Sequence, residues 1–268
     1  LPRGKCLGGS SSSNGMVDAR GDRAEYDSWA ALGATGGSWA GLLPHFVRTE
    51  DQERTDGSYA GPLHGRGGPL RAADLDNPHP VSQAMVQAAV QAGLPHCTDF
   101  NNGQPKGAGL FQANLRDGRR SSIARNAIEP AMRRANLRVQ TNALVQRIEI
   151  TEGRAKDGSE HVASANREVL LCAGALQSPQ LLMLSGIGPA EHLNELGIKV
   201  QADLPGVGAN LQDHAIVPMS WRLKRGIPSL NAGLRGAGLG GSVLRYLLTR
   251  KGPLAMPAAE FAAWFSSD

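Results

Sequence analysis

Two adjacent glycines, Gly8 and Gly9, open a run of four serines that Asn14 and Gly15 close, and no other stretch constrains the chain as much. Glycine samples backbone conformations that other residues avoid, and serine competes for backbone hydrogen bonds, so the run reads as loop rather than helix or strand interior. Consecutive N–H groups in such a loop can form a concavity for an anion, with phosphate the natural guest. A flexible linker has the same composition. The flanks argue against a linker: Arg3 and Lys5 precede the run, Met16 and Val17 follow it, and a segment carrying Tyr26, Trp29 and Leu32 comes next.

Elsewhere, helix signals are explicit. Ser38 is placed to cap a helix carrying Trp39, Leu42, Leu43, Phe46 and Val47 on one stripe, with Pro44 expected to kink it or delay its start. Pro80 opens a second helix with Val81, Met85, Ala88, Ala89 and Ala92 on one face and Gly93 as its stop. Asp56 to Gly68 and Asp99 to Arg120 read as loops, and a short helical stretch starts at Ser121 or Ser122 and reaches Ile128 and Met132. Leu137 to Thr141 and Leu144 to Ile150 read as strands, followed by a hairpin turning over Thr151 to Ser159 and returning at His161 to Ala163.

Glu168 to Ala173 is a nearly continuous apolar run, the pattern of a strand buried on both faces. Ser178 caps the helix after it, Pro179 takes the first position, Leu181, Leu182 and Leu184 bury one side, and Gly186 ends it. A short helix follows from Pro189 through Leu193 and Leu196 to Gly197, then a strand at Ile198 to Val200. Further strands are expected at Val217 to Leu223 and near the end of the chain, with loop at Gly233 to Gly241 and helix at Ser242 to Leu248. Alternating strands and helices imply an α/β layer.

Composition excludes several classes. At 268 residues and 41% hydrophobic content the chain can bury one large core or two domains. The net charge of +4 comes from 28 basic and 24 acidic residues scattered among one another, without the basic and aromatic clustering of a nucleic-acid binder. Cys6, Cys97 and Cys172 are too few and too separated for a disulfide framework or a zinc site, so they are expected as buried thiols and no metal is expected. The longest apolar runs fall far below the roughly 18 residues of a membrane span. A cytoplasmic location is expected, with peripheral membrane association the alternative.

Three stretches together carry a family resemblance. Gly4-Lys-Cys-Leu-Gly8-Gly9-Ser10, continuing to Asn14-Gly15-Met16, resembles the first signature of the glucose-methanol-choline family of FAD-dependent oxidoreductases. Gly174-Ala-Leu-Gln-Ser178-Pro179, running on to Ser185-Gly186-Ile-Gly188, resembles its second signature, and Leu204-Pro-Gly to Asp213-His214 resembles the segment that follows. The resemblance runs from Arg3 to about Ser267.

It implies an α/β fold, α+β overall. Residues 1–214 would be part of a doubly wound FAD-binding domain with inserted entrance or lid segments over about 40–130, and 215–268 the start of an antiparallel-sheet substrate domain. The family's upstream dinucleotide turn and downstream catalytic histidine do not occur in this sequence, so the chain is read as an internal piece of a larger flavoenzyme and no catalytic residue is assigned. The cofactor implied is FAD, with Gly8, Gly9 and Ser10 at its phosphates and Asn14, Gly15 and Val17 beside the isoalloxazine. Val145, at the adenine, and Ala173 and Gly174, at the end of the buried strand, complete the set; for Val145 plain core packing is the preferred reading.

The reaction implied is oxidation of a primary alcohol to an aldehyde by hydride transfer to flavin N5, with a small alcohol as substrate and the electron acceptor and oligomeric state open. Dehydrogenase is preferred to oxidase. Glu260 matches a carboxylate that faces the trimethylammonium group in choline-oxidising members; a carboxylate paired within the fold is the competing reading. Trp264 is not assignable to an aromatic box for such a cation. His214 is read as a structural hydrogen-bonding residue and His64 as a solvated loop residue. The competing functions are a lyase of the same family that keeps FAD structurally, and an inactive remnant unable to hold FAD.

Overall fold

A computed structural model describes residues 3–55, 61–149, 163–213, 222–224, 226–227 and 229–265. These belong to two compact units, one spanning Leu1–Val139 and Arg222–Asp268, the other Gln140–Trp221.

The first unit starts with the glycine–serine run, which forms a single 3-10 turn at Gly9–Ser12 and then a short strand β1 (Val17–Asp18), so part of the stretch expected to be irregular is regular. Helix α1 (Arg23–Ala31) is capped by Asp22, whose side chain accepts the Ala24 N–H. Helix α2 (Trp39–Thr49) is capped by Ser38, which accepts the Gly41 N–H at 3.2 Å. Pro44 lies inside α2 without ending it. Tyr26, Trp39 and Phe46 close on one another at centroid distances of 5.6–6.1 Å, and this aromatic cluster holds α2 against α1. Ser38→Ala is expected to cost about 1 kcal/mol, the usual worth of an N-cap side chain, read as a shift in the thermal unfolding midpoint.

Next come β2 (Glu50–Gln52) and β3 (Leu70–Ala72), a parallel pair in register Glu50 with Leu70. Helix α3 (Pro80–Gln91) begins and stops where expected, with Gly93 at φ 99°. Its inward face differs from the expected one by part of a turn: Val86 is buried and Val81, Met85 and Ala89 half-buried, while Ala88 and Ala92 are exposed.

The stretch expected to be loop up to Arg120 instead contains β4 (Gly107–Leu110), β5 (Gln112–Ala113), β6 (Leu115–Arg116) and β7 (Arg119–Arg120). Its glycines mislead because they serve close packing as well as turns. A Cβ on Gly109 would lie 1.9 Å from the Cys97 carbonyl oxygen, so only glycine lets these backbones approach. β5 pairs with β1, and Cys97, Phe100 and Phe111 form a buried cluster against which Val17, Ala262 and Trp264 pack. A π-helical turn at Ala124–Ile128 and α4 (Glu129–Ala131) supply the helical stretch expected after Ser122.

In the second unit the expected strands at 137–141 and 144–149 are absent, the first of them straddling the boundary between units, and so is the strand at 168–173. Val169 and Leu170 are 60% and 76% exposed, where a strand buried on both faces was expected. An apolar run becomes a strand only when another strand takes up its N–H and C=O groups, and among the described residues none pairs with these. Ile150 and the hairpin residues 151–162 lie outside the described residues.

Helix α5 (Gln177–Leu184) starts two residues earlier than expected, so Ser178 is not its cap; its hydroxyl accepts the Ala173 N–H at 3.1 Å. Leu181 is buried and Leu184 exposed, and Gly186 ends the helix at φ 82°. Short strand β8 (Ile187–Gly188), helix α6 (Ala190–Glu195) and β9 (Ala202–Asp203) follow, with β8 and β9 parallel. The strand after α6 is thus 202–203 rather than 198–200, and within the α6 region Leu193 is fully buried while Leu196 is exposed.

The chain then returns to the first unit. Residues 214–221 lie outside the described residues and with them most of the strand expected at 217–223. Helices α7 (Leu230–Gly233) and α8 (Gly236–Thr249) replace the loop expected at 233–241. A Cβ on Gly238 would fall 2.1 Å from the Ala232 carbonyl oxygen, so here too glycine permits close packing, of α7 on α8. Strand β10 (Phe261–Trp264) pairs antiparallel with β4, Ala262 opposite Gly109. Cys97 is buried, but Cys6 and Cys172 are exposed thiols, contrary to expectation.

Candidate functional site

The glycine–serine loop is organised by its own hydroxyls. Ser11 Oγ donates to the Gly8 carbonyl at 2.6 Å and accepts the Ile123 N–H at 3.1 Å, and Ser12 Oγ donates to the Leu7 carbonyl at 2.8 Å. Gly8 and Gly9 both hold positive φ, at 84° and 56°. Their surroundings are opposite: a Cβ on Gly8 would lie 2.8 Å from the Ala124 nitrogen, whereas one on Gly9 would meet nothing within 4 Å. One glycine therefore seats the loop and the other opens it to space. Ser10 Oγ accepts the Gly4 N–H at 3.3 Å and keeps its own proton to donate. Open space at Gly9 beside a hydroxyl donor suits a phosphate, so these residues fit the pyrophosphate of FAD.

Asn14 Oδ1 accepts the Met16 N–H at 3.1 Å and Arg120 Nη1 at 2.6 Å. Arg120 Nη1 also donates to the Ser11 carbonyl at 3.3 Å, which places a guanidinium directly on the loop. Sequence reading passed over Arg120 because nothing local in a Gly-Arg-Arg pattern says which distant loop it will reach.

Gly15 lies against the segment leading to Glu260. Ala258 N–H donates to the Gly15 carbonyl at 2.8 Å, and a Cβ on Gly15 would come within 2.9 Å of Ala258 Cβ. Glu260 is 9% exposed, its Oε2 accepts the His79 N–H at 2.8 Å at the start of α3, and its Oε1 is buried without a hydrogen-bond partner among the described residues. A helix N-terminus favours an anion there. Among the described residues Glu260 makes no ion pair. Trp264 packs edge-on against Phe100 at 5.1 Å and so belongs to the core cluster.

His64 is not solvated. Its side chain is 4% exposed and lies between Glu50, 3.1 Å from Nδ1, and Asp99, 3.0 Å from Nε2. Arg20 Nη2 joins Glu50 at 3.0 Å, with both side chains buried. Burial alone would push the imidazole down, but the hydrogen bonds to Asp99 and Glu50 overcome it and raise the pKa to about 9. Burial would raise Asp99 likewise, yet His64 and the Asn101 N–H hold it below the usual range. Asp18 is pushed up by burial, which with the nearby Glu50 charge outweighs the amide donors of Asn114 and Asn101 and the Arg20 charge. These partners come from segments far apart in sequence, which is why a histidine in a glycine-rich stretch looked like a surface residue.

The remaining candidates lie in the second unit. Val145 is 61% exposed, so it is not a core residue, and Ala173 and Gly174 are exposed, Gly174 at φ 93°. The described arrangement brings Gly8, Gly9, Ser10, Asn14, Gly15 and Val17 together with Glu260's segment in one unit, and Val145, Ala173 and Gly174 belong to the other. His214 lies outside the described residues. Among the described residues no group of three or more side chains could hold a metal ion, and no helix is long and apolar enough to cross a membrane.

Comparison with known proteins meets this geometry. A family profile described as GMC oxidoreductase matches residues 1–216. The oxygen-dependent choline dehydrogenase of Rhizobium johnstonii is 44% identical over 219 residues, covering 80% of this chain and 39% of that protein. The enzyme of the same name from Staphylococcus xylosus is 41% identical over 279 aligned residues, covering 99% of this chain and 48% of the other. The chain thus spans less than half the length of these curated relatives. Among solved structures, an FAD-dependent oxidoreductase from Chaetomium thermophilum matches with a TM-score of 0.82 at 29% identity, over 97% of this chain and 48% of that one. A formate oxidase from Aspergillus oryzae matches with a TM-score of 0.83 at 29% identity, over 97% and 47%. The chain belongs to the GMC oxidoreductase family, whose cofactor is FAD.

Proposed function

We propose that the protein oxidises a primary alcohol bearing a quaternary ammonium group, choline or a close analogue, to the aldehyde. FAD, when bound, supplies the hydride acceptor at flavin N5. In this reading Gly8, Gly9 and Ser10 hold the pyrophosphate, Asn14, Gly15 and Val17 line the isoalloxazine, Val145 meets the adenine, and Ala173 and Gly174 complete the cofactor-binding set. By role, residues 1–214 are the FAD-binding portion, with the inserted segment over about 40–130, and 215–268 begin the substrate domain. No general base is assigned in this chain.

The observation that supports a cationic substrate is the half-satisfied Glu260. A buried carboxylate oxygen without a donor is costly, and a cation beside it removes that cost. Glu260 is also two residues from Ala258, which touches the loop at Gly15, so the free oxygen belongs to the neighbourhood where the flavin is proposed to lie. The relatives named as choline dehydrogenases are consistent with this choice of substrate.

The test is anaerobic addition of choline to the full-length protein, where bleaching of the flavin absorbance is expected. Glu260→Gln should raise KM for choline by about tenfold to a hundredfold, each tenfold being about 1.4 kcal/mol, and leave an uncharged primary alcohol little affected. Equal loss with both substrates would remove the cation-binding role, and an unbleached flavin would remove the oxidation.

A further inference from the structure

His64 joins parts of the chain that sequence keeps apart. Its Nδ1 lies 3.1 and 3.2 Å from the two Glu50 oxygens and its Nε2 3.0 Å from Asp99 Oδ2. Ionised carboxylates only accept, so both contacts are hydrogen bonds only when both ring nitrogens donate. Glu50 Oε2 also receives the Gly65 N–H at 2.7 Å and Arg20 Nη2 at 3.0 Å. Arg20 returns to the same segment through Nη1, which donates to the Leu63 carbonyl at 2.6 Å, and its backbone N–H donates to Asn101 Oδ1 at 2.6 Å. Asn101 takes Asp99 Oδ1 with its N–H at 2.7 Å and Asp18 Oδ2 with its side-chain amide at 2.9 Å. The path ends one residue from Val17, and the neighbouring Asn114 N–H donates to the Met16 carbonyl at 2.7 Å.

We propose that His64 is a positioning residue for the cofactor site, its bridge between Glu50 and Asp99 holding Arg20 and Asn101 in place and thereby fixing Val17–Asp18 and the loop that leads into them. The cofactor part of this inference rests on the reading of that loop as flavin-facing; the clamp itself does not. Among the described residues the groups that face the ring include Glu50 from β2, Asp99 from the segment after α3, and the Gln52 amide at 3.5 Å, with Arg20 one contact further through Glu50, Asp18 two further through Asp99 and Asn101, and Cys97 bonded to the Asp99 carbonyl. The folded pKa is raised, so the clamp's contribution is complete below about pH 6.5 and is lost as pH rises through about 9.

The experiment uses the full-length protein and reads hydrogen exchange at the Gly65, Asn101 and Asn114 amides, the protonation of His64 by NMR of labelled histidine, and the Kd for FAD. His64→Gln should speed exchange at all three amides at least tenfold, leave the β4 and β10 amides unchanged, and weaken FAD binding about tenfold. Wild-type protein should keep the imidazole protonated past pH 8 and show the same selective rise in exchange, above the intrinsic rate, between pH 8 and 10. This pH series carries the test if the variant does not fold. An imidazole titrating near pH 6.5, or Asn114 protection indifferent both to the variant and to pH, overturns the proposal. A wild-type protein that shows the exchange response but holds no FAD supports the clamp and overturns the cofactor reading alone.

Discussion

Glu50→Ala is expected to destabilise the protein by about 3–5 kcal/mol, the usual result of removing one partner from a buried charged network. Three donors converge on this carboxylate: Arg20, His64 and the Gly65 N–H. The Arg20 and His64 side chains are 9% and 4% exposed, so water does not replace what alanine removes. The contrast is Arg23→Ala, which breaks an exposed ion pair with Asp27 one helical turn away and should cost no more than about 0.5 kcal/mol. Urea denaturation of both variants at neutral pH measures the difference. Equal midpoints would mean that the buried network is not a stabilising centre.

Gly109→Ala is expected to cost about 3 kcal/mol, at the upper end of what overpacking imposes. The added methyl would meet the Cys97 carbonyl oxygen at 1.9 Å, a backbone atom that moves only with its chain. Cys97 N–H donates to the Ala108 carbonyl, and Ala108 N–H donates to the Pro95 carbonyl, both at 2.8 Å, so the two segments cannot separate without losing these bonds. At roughly 2–4 °C per kcal/mol for a domain of this size, the midpoint should fall by about 6 to 12 °C in calorimetry. Gly240→Ala in α8 is the counterpart: a Cβ there meets nothing within 4 Å, and alanine should stabilise the helix by about 0.5–1 kcal/mol. A Gly109→Ala midpoint unchanged from wild type would show that β4 and residues 95–97 are not tightly packed.

Much of the helical structure was readable because its signals are local. Ser38 caps α2, Pro80 opens α3, and Gly93 and Gly186 stop their helices at positive φ. Strands were read poorly, since a strand exists only with a partner. The apolar run at 168–173 looked buried and is exposed, while the glycine-rich 107–110 looked like loop and pairs with β10. Of the candidate site, the loop residues were legible as a motif, but Arg120, Gly15's contact with Ala258 and the His64 bridge were not.

The sequence alone determined the family, the cofactor class, the glycine–serine loop and the helices whose caps and stops it spells out, because each of these depends on residues within a few positions of one another. Tertiary structure decided that a histidine in a glycine-rich stretch is buried between two carboxylates, that Glu260 meets the N-terminus of α3 with one oxygen unsatisfied, and that Gly109 is a packing residue. The physical reason is the same in each case. The charge state of a side chain, the satisfaction of a polar atom and the room for a Cβ are set by groups 12 to 181 residues away, and no local pattern encodes which of them will arrive.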